Sequence, residues 1–342
     1  MLFEEQIKDL RTLLEKSQKP LFLFDNDTDG LCSFLLLRRY IDRGYGVAIK
    51  SFPELDASYT RKIDELKPDV IFVLDKPIIS QGFLDEVRKL NIPLIWIDHH
   101  DVNPDTDGIH YFNPMRTEKP SSEPATYWAW QVTKRKEDLW IAMIGCISDS
   151  YLPDFTKEFQ EAYPELWAEN IKTAFDGLYN TEIGKISRIF AFGLKDRTGN
   201  VTKMIRFLSR VKSPYEVLED SGNFLKMRYE RINRKYQKIL ERAKKFAKNK
   251  LLYFQYSGEL SLSADISNEL SYTYPDKIIV VAYIKGTKAN VSLRGKNVRE
   301  LTLKAIENLE GATGGGHMDA TGAKMSVEQL PVFKERLESL IK

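Results

Sequence analysis

Cysteine is nearly absent from this chain of 342 residues. The two present, Cys32 and Cys146, lie far apart inside apolar runs, which excludes a disulfide framework and a thiolate zinc site. An excess of one charge is also missing: 51 Lys and Arg face 49 Asp and Glu, and a net charge of +2 alone points to no partner. The segment Met1 to Lys19 is charged throughout, so it reads as neither a signal peptide nor a membrane span, and the expected location is cytoplasmic. Abundant Lys and Glu beside scarce Cys and Gln is the balance of a thermophile protein. A hydrophobic content of 42% with 29% charged residues describes a soluble globular protein. The chain is long enough for two domains, because single cores rarely grow past about 250 residues.

The most informative stretch is Leu21-Phe22-Leu23-Phe24-Asp25-Asn26-Asp27-Thr28-Asp29-Gly30. Four apolar residues read as a buried strand, and Leu31 to Tyr40 reads as a helix. The three aspartates then sit at the carboxyl end of a strand, in the crevice where open α/β sheets bind ligands. Carboxylates this crowded repel one another unless a cation neutralises them, and hard divalent ions with oxygen ligands are the usual solution. A calcium-binding EF-hand does not fit, because its twelfth position needs Glu and here holds Leu36, and because a strand precedes the loop. A solvated turn rich in Asp and Asn is the plain alternative for the stretch in isolation.

The same pattern recurs along the chain. After a helix Leu2–Leu14 and the first strand come an expected strand Val47–Phe52 and a helical segment Tyr59–Leu66. Val70–Leu74 is then an apolar run ending in Asp75. A helix Gly82–Leu90 leads to Leu94–Ile97, which ends in Asp98-His99-His100. Strands alternating with helices imply a parallel sheet covered on both faces, with its acidic strand ends on one edge. Ser122–Val132 and Asp138–Ile147 read as helices, the second followed by Asp149. Taken singly, any of these acids is more often a helix cap or a loop residue. His110 has no partner in the pattern and reads as structural.

Residues 151–220 are helical and aromatic, without a cluster suited to chemistry. Residues 221–250 carry eleven Lys or Arg against two Glu, a local net charge of +9. Ile232, Tyr236, Ile239, Ala243 and Phe246 recur at helical spacing, so this reads as one long amphipathic helix with a basic outer face. That face is either simply solvated or a contact surface for a phosphate backbone. Beyond it, strands Leu251–Tyr256, Lys277–Ile284 and Ala289–Leu293 and helices Asp265–Tyr272, Val298–Leu309 and Val327–Ile341 form a second, smaller α/β domain. It holds Arg294 and the run Gly314-Gly315-Gly316-His317, where glycines let backbone amides approach an anion. A triple glycine alone is more often a flexible turn, and this one lacks the spacing of a dinucleotide fingerprint. The expected division is 1–150, 151–250 and 251–342.

Taken in order, Asp25-x-Asp27-x-Asp29-Gly30, Asp75, Asp98-His99-His100, Asp149 and Gly314-Gly315-Gly316-His317 resemble the DHH phosphoesterase superfamily with its carboxy-terminal DHHA1 domain. The resemblance covers nearly the whole chain. The first motif is similar to that of the RecJ-type nucleases, and size and composition resemble the archaeal RecJ-like exonucleases, including the type that associates with the Hef helicase. Met318-Asp319 departs from the usual proline-containing continuation of the glycine motif. The resemblance implies two divalent metal ions, Mn²⁺ or else Mg²⁺, with phosphodiester cleavage in a cleft between the two domains. It implies Asp25 and Asp27 on the first ion, Asp29, His99 and Asp149 on the second, and Asp75 bridging them. His100 then contacts the scissile phosphate and Asp98 orients the histidine pair, while Arg294, Gly314, Gly315, Gly316 and His317 bind substrate. Mixed carboxylates and imidazoles suit the same ions on chemical grounds, and two such ions can clamp attacking and leaving oxygens.

The resulting expectation is an exonuclease that releases nucleoside monophosphates from single-stranded DNA or RNA, in a repair or replication setting with a helicase as protein partner and no membrane. The oligomeric state is left open. The alternative of the same fold is a small-molecule phosphoesterase for short oligonucleotides, cyclic dinucleotides, adenosine bisphosphate or pyrophosphate. A further alternative is a non-catalytic replication scaffold like the Cdc45 relatives, against which the full set of ligands argues.

Overall fold

The computed structural model describes residues 2–51 and 54–341. Its chain forms two compact units, Met1–Tyr229 and Glu230–Lys342. The first begins with α1 (Glu4–Lys16), β1 (Pro20–Asp25), α2 (Thr28–Ile41), β2 (Tyr45–Ile49), a two-residue β3 (Glu54–Leu55) and α3 (Thr60–Leu66). It continues through β4 (Val70–Leu74), a two-residue β5 (Ile78–Ile79) paired with β3, α4 (Gln81–Lys89), β6 (Leu94–Ile97) and β7 (His110–Phe112). Helices α5 (Ala125–Thr133), α6 (Leu139–Ser148), α7 (Thr156–Ala162), α8 (Ala174–Asn180), α9 (Glu182–Leu194), α10 (Thr198–Leu208) and α11 (Tyr215–Leu218) follow. The expected second strand is present but ends at Ile49, and Phe52 lies outside the described residues.

The main sheet has the order β2-β1-β4-β6-β7, and every pairing is parallel. Its central strands β1, β4 and β6 are buried on both faces. Phe22 and Phe24 of β1 and Phe72 and Leu74 of β4 point into a core with α2, α5 and α6, while Leu21, Leu23, Ile71 and Val73 pack against Ile63 of α3 and Phe83, Leu84 and Val87 of α4. Alternation along a strand thus serves two helical layers. From β1 the chain moves outward to β2, then returns to place β4 on the other side. The β1–β4 boundary is therefore the switch point at which α/β sheets open a crevice beyond their carboxyl ends.

Helix α12 (Asn223–Lys244) leads into the second unit, which contains β8 (Leu251–Ser257), α13 (Ser263–Thr273), β9 (Ile278–Lys285), β10 (Lys288–Arg294), α14 (Val298–Ile306), β11 (Thr313–His317), β12 (Ala320–Ser326) and α15 (Leu330–Leu340). Its mixed sheet runs β11-β12-β10-β9-β8. The glycine run, which sequence reading leaves as a turn, is the edge strand of a hairpin; its backbone pairs with β12 from Thr313–Lys324 to His317–Ala320. The basic helix is amphipathic as expected, with Ile232, Tyr236, Leu240 and Ala243 buried and Arg231, Arg234, Lys235, Lys238 and Arg242 exposed. It stops at Lys244, six residues short of the expected end. Phe246 is 55% exposed and leaves the apolar stripe, because its ring turns to Phe254 of β8, with centroids 5.6 Å apart. Both cysteines are free and buried. Among the described residues no helix is long and apolar enough to cross a membrane.

Candidate metal centre

Each acidic residue of the first motif is fixed by a different local device. Asp25 ends β1, and its Oδ1 accepts from the Asn26 amide at 2.9 Å. Asp27 is the N-cap of α2, accepting from the Gly30 amide at 2.9 Å. The glycine is required here: a Cβ at position 30 would lie 2.5 Å from the carbonyl oxygen of Asp25 and 2.8 Å from its nitrogen, so only Gly lets the first turn of α2 close over the strand end. Asp29 is buried, and its two oxygens accept from the amides of Ala125 and Thr126 at 2.9 and 2.8 Å. These are the first residues of α5, so a helix N-terminus holds that carboxylate.

Asp75 follows β4 with a φ of +57°, a left-handed turn that breaks strand alternation just beyond the sheet. Its amide donates to the carbonyl of Ile97 at 2.8 Å, which anchors it beside the end of β6. Asp149 caps the C-terminal end of α6. These elements converge on one atom: the Nε2 of buried His99 lies 3.3 Å from Asp75 Oδ1, 3.6 Å from Asp149 Oδ2 and 3.9 Å from Asp29 Oδ2. Donor atoms of Asp29, His99 and Asp149 all lie within 4.8 Å of one another. Such spacing suits ligands of one ion, since hard cations sit about 2.0–2.6 Å from each donor.

Two further features fit a divalent cation. Oδ1 of Asp75 is buried without a hydrogen-bond partner, and the donor set of carboxylates with an imidazole favours Mn²⁺ or Mg²⁺. The metal-free electrostatics agree. Burial, followed by repulsion from Asp149, pushes Asp29 up to about 6. Burial, followed by Asp29, Asp27 and Asp25, drives Asp75 well above the usual carboxylate range. A cation would relieve both.

The third motif splits its labour between two imidazoles. Asp98 is fully buried, and its Oδ1 lies 2.7 Å from His100 Nδ1. Burial opposes a charge on that ring, but the hydrogen bond and charge of Asp98 outweigh it, raising His100 to about 9. His100 is thus an imidazolium at neutral pH, next to His99 with ring centroids 4.7 Å apart. Asn113 completes the arrangement. Its Nδ2 donates to Tyr111 Oη at 2.7 Å, to the His100 carbonyl at 3.0 Å and to Asp98 Oδ2 at 3.3 Å. His110 starts β7 in an exposed position, outside this network.

Sequence reasoning passed over Asn113, Tyr111 and, above all, Lys76. This lysine follows Asp75, has no exposed surface, and donates from Nζ to Asp25 Oδ1 at 2.9 Å. A charged residue inside Asp75-Lys76-Pro77-Ile78-Ile79, directly after a buried strand, was the available signal.

In the second unit, Arg294 and His317 both stand opposite Ala320, on either side of β12. That register brings them to one end of the sheet, roughly 10 Å apart across two strand spacings. Arg294 is anchored by Asn268 Oδ1 at 2.5 Å and by the carbonyls of Leu293 and Thr321. Gly316 has a φ of +135°, closed to other residues, whereas a Cβ at Gly315 would meet nothing. Met318-Asp319 forms the hairpin turn, in which Asp319 accepts from the amides of Gly295 and Asn297 and Met318 from that of Arg299. Of these bonds only the one from the Asn297 amide to the Asp319 carboxylate depends on the residue type, so Asp319 is the part of the departure that ties the hairpin to the start of α14.

Comparison with known proteins gives two family matches: the DHH family N-terminal domain over residues 21–144 and the DHHA1 domain over 237–342. No curated protein matches the sequence. Among solved structures, RecJ in complex with Mn²⁺ from Thermus thermophilus is similar with a TM-score of 0.69 and 16% identity, covering 100% of this chain and 55% of that one. This chain thus spans about half of that protein. An exonuclease RecJ bound to manganese gives 0.66 and 17%, covering 99% and 95%. CDC45 from Entamoeba histolytica gives 0.56 and 10%, covering 98% and 99%. At these identities the likeness is one of fold.

Proposed function

Because this chain belongs to the DHH family and carries a DHHA1 domain, we propose that it is a metal-dependent phosphodiesterase of two-ion type. It acts as an exonuclease on single-stranded DNA or RNA and releases nucleoside monophosphates. One observation carries the reading: carboxylate oxygens of Asp29, Asp75 and Asp149 lie within 3.9 Å of a single nitrogen of His99, at the switch point of the sheet. Asp29, His99 and Asp149 would hold one ion and Asp25 and Asp27 the other, with Asp75 shared. Bound ions would supply Lewis acidity toward water and phosphate.

The protein's own groups do the rest. His100, held charged by Asp98, donates to a phosphate oxygen and stabilises charge that grows on it. The α5 amides keep Asp29 ionised and aimed. Arg294, His317 and the Gly314–Gly316 backbone take the remaining phosphates or the terminal nucleotide. The exposed cations of α12 favour a polymer over a small molecule, since each neutralised phosphate releases counterions.

The test is purified metal-stripped protein given Mn²⁺ and oligonucleotides labelled separately at each end, beside a dinucleotide and a chelator control. Stepwise shortening from one end with mononucleotide release supports the reading. Cleavage restricted to the dinucleotide would establish the small-molecule phosphoesterase, and tight Mn²⁺ binding with no cleavage would establish a scaffold.

A further inference from the structure

Lys76 is a cation built into the acidic centre. Its Nζ donates at 2.9 Å both to Asp25 Oδ1 and to the carbonyl of Ser51, just beyond β2, while its own carbonyl accepts from Trp96 Nε1 at 2.8 Å. Asp25 of β1 and the chain just past β2 thus hold a side chain that is closed to solvent, while Trp96 of β6 holds its backbone. A buried ammonium persists only where charge and hydrogen bonds compensate its lost hydration, and Asp25 with Ser51 supply both. The count of charges is also informative. Asp25, Asp27, Asp29, Asp75 and Asp149 bring five negative charges and Lys76 returns one, leaving four, the charge that two divalent ions carry.

Building on the metal-centre reading above, we propose that Lys76 is a positioning residue that neutralises the Asp25 side of the centre before metal arrives and makes that side the weaker of its two ion sites. With Oδ1 of Asp25 committed to the ammonium and the Asn26 amide, and Asp27 bonded to the Gly30 amide and to Asp75, an ion there competes with bonds already made. An ion placed there also meets the repulsion of the fixed positive charge. The lysine trades affinity for a centre that stays ordered when empty.

The experiment is calorimetric titration of Mn²⁺ into metal-stripped full-length protein, with melting temperatures measured with and without Mn²⁺. Lys76→Gln removes the charge and leaves an amide one atom short of the ammonium, and Lys76→Met removes both the charge and the donors. Both should tighten the weaker Mn²⁺ event by about tenfold or more, the scale of one unit charge acting on a divalent ion at partial screening. Both should also melt lower when metal-free and gain more from Mn²⁺ than the parent, and Lys76→Arg should keep the parent affinities. Unchanged or weakened Mn²⁺ binding in the Gln and Met variants overturns the proposal. If the Met variant is unfolded without metal, Mn²⁺ must restore its far-ultraviolet dichroism, and failure to do so counts against the proposal as well. His99→Ala separates the two readings. Parent-like binding of both ions in that variant would overturn the metal centre itself, whereas loss of one ion with unchanged Lys76 variants would overturn only the role of the lysine.

Discussion

In the sheet of the first unit five strands run in one direction and finish together, whereas in the second unit β10 and β11 run against their neighbours, so each edge mixes strand starts with strand ends. The difference decides what each can gather. A parallel edge collects the loop after every strand, and here those loops bring Asp25, Asp75, Asp98 and His99 to one crevice, joined by Asp29 and Asp149 from helix ends. The mixed edge collects only a hairpin end, with exposed glycine backbone and the Arg294 guanidinium and His317 imidazole flanking Ala320. The first arrangement suits an ion and a reaction; the second suits holding an anion.

Breaking the first edge should have the largest effect. Chelation should abolish cleavage, and Asp75→Ala should lower it below about one thousandth of the parent, since in the proposed centre that carboxylate would be shared by both ions. Metal analysis should show Asp75→Ala losing more bound Mn²⁺ than any other single replacement; full occupancy would disprove the bridge. His100→Gln should be less severe, cutting kcat by about 10²–10³-fold, the usual effect of removing a donor to developing charge, with both ions retained. A fall in Mn²⁺ content there would make His100 a ligand. Arg294→Ala or His317→Ala should raise KM about tenfold, the scale of one charged hydrogen bond, while metal content stays at the parent value. Metal loss in either would erase the division of labour between the two sheets.

The smallest effect belongs to α12. Replacing Arg231, Lys235, Lys238 and Arg242 together by Gln should weaken binding of long single strands and flatten its salt dependence by about 0.7 in slope per lost phosphate contact. Lys235 should contribute little, being paired with Glu259 at 2.5 Å on the surface. Dinucleotide cleavage should stay at the parent rate. An unchanged slope would reduce the helix to a solvated face.

The two edges also differ in how well they could be read from the chain alone. The ends of β1, β4 and β6 were legible because each is a short apolar run followed at once by acid, a pattern that fixes both strand direction and the side on which the acid emerges. What supports those acids was not legible. Asp29 depends on amides 96 and 97 residues away, and Asn113 reaches Asp98 only because β7 pairs with β6. Lys76 was hidden by the ordinary expectation that lysines face water. The glycine strand was hidden because strand propensity rests on side chains that pack, and Gly314, Gly315 and Gly316 have none; β12 supplies the pairing instead.

Arg39 of α2 carries a last consequence. Its guanidinium is buried, bonded to the fully buried carboxylate of Asp138 at 2.7 Å and to the carbonyls of Leu208 and Val211 at 3.0 and 2.6 Å. The helix that presents Asp29 is thereby stitched to the last turn of α10, 169 residues further along. A fragment ending near residue 150 would keep every acid of the first four motifs yet leave Arg39 with two bonds facing nothing, on a helix stripped of its outer cover. Arg39 would keep its ion pair with Asp138 but lose two charge-assisted hydrogen bonds, each worth about 1.5–3 kcal/mol, a large share of a domain's whole stability. The setting of the acidic crevice therefore draws on α10 and the chain just after it as well as on the strands that carry the acids.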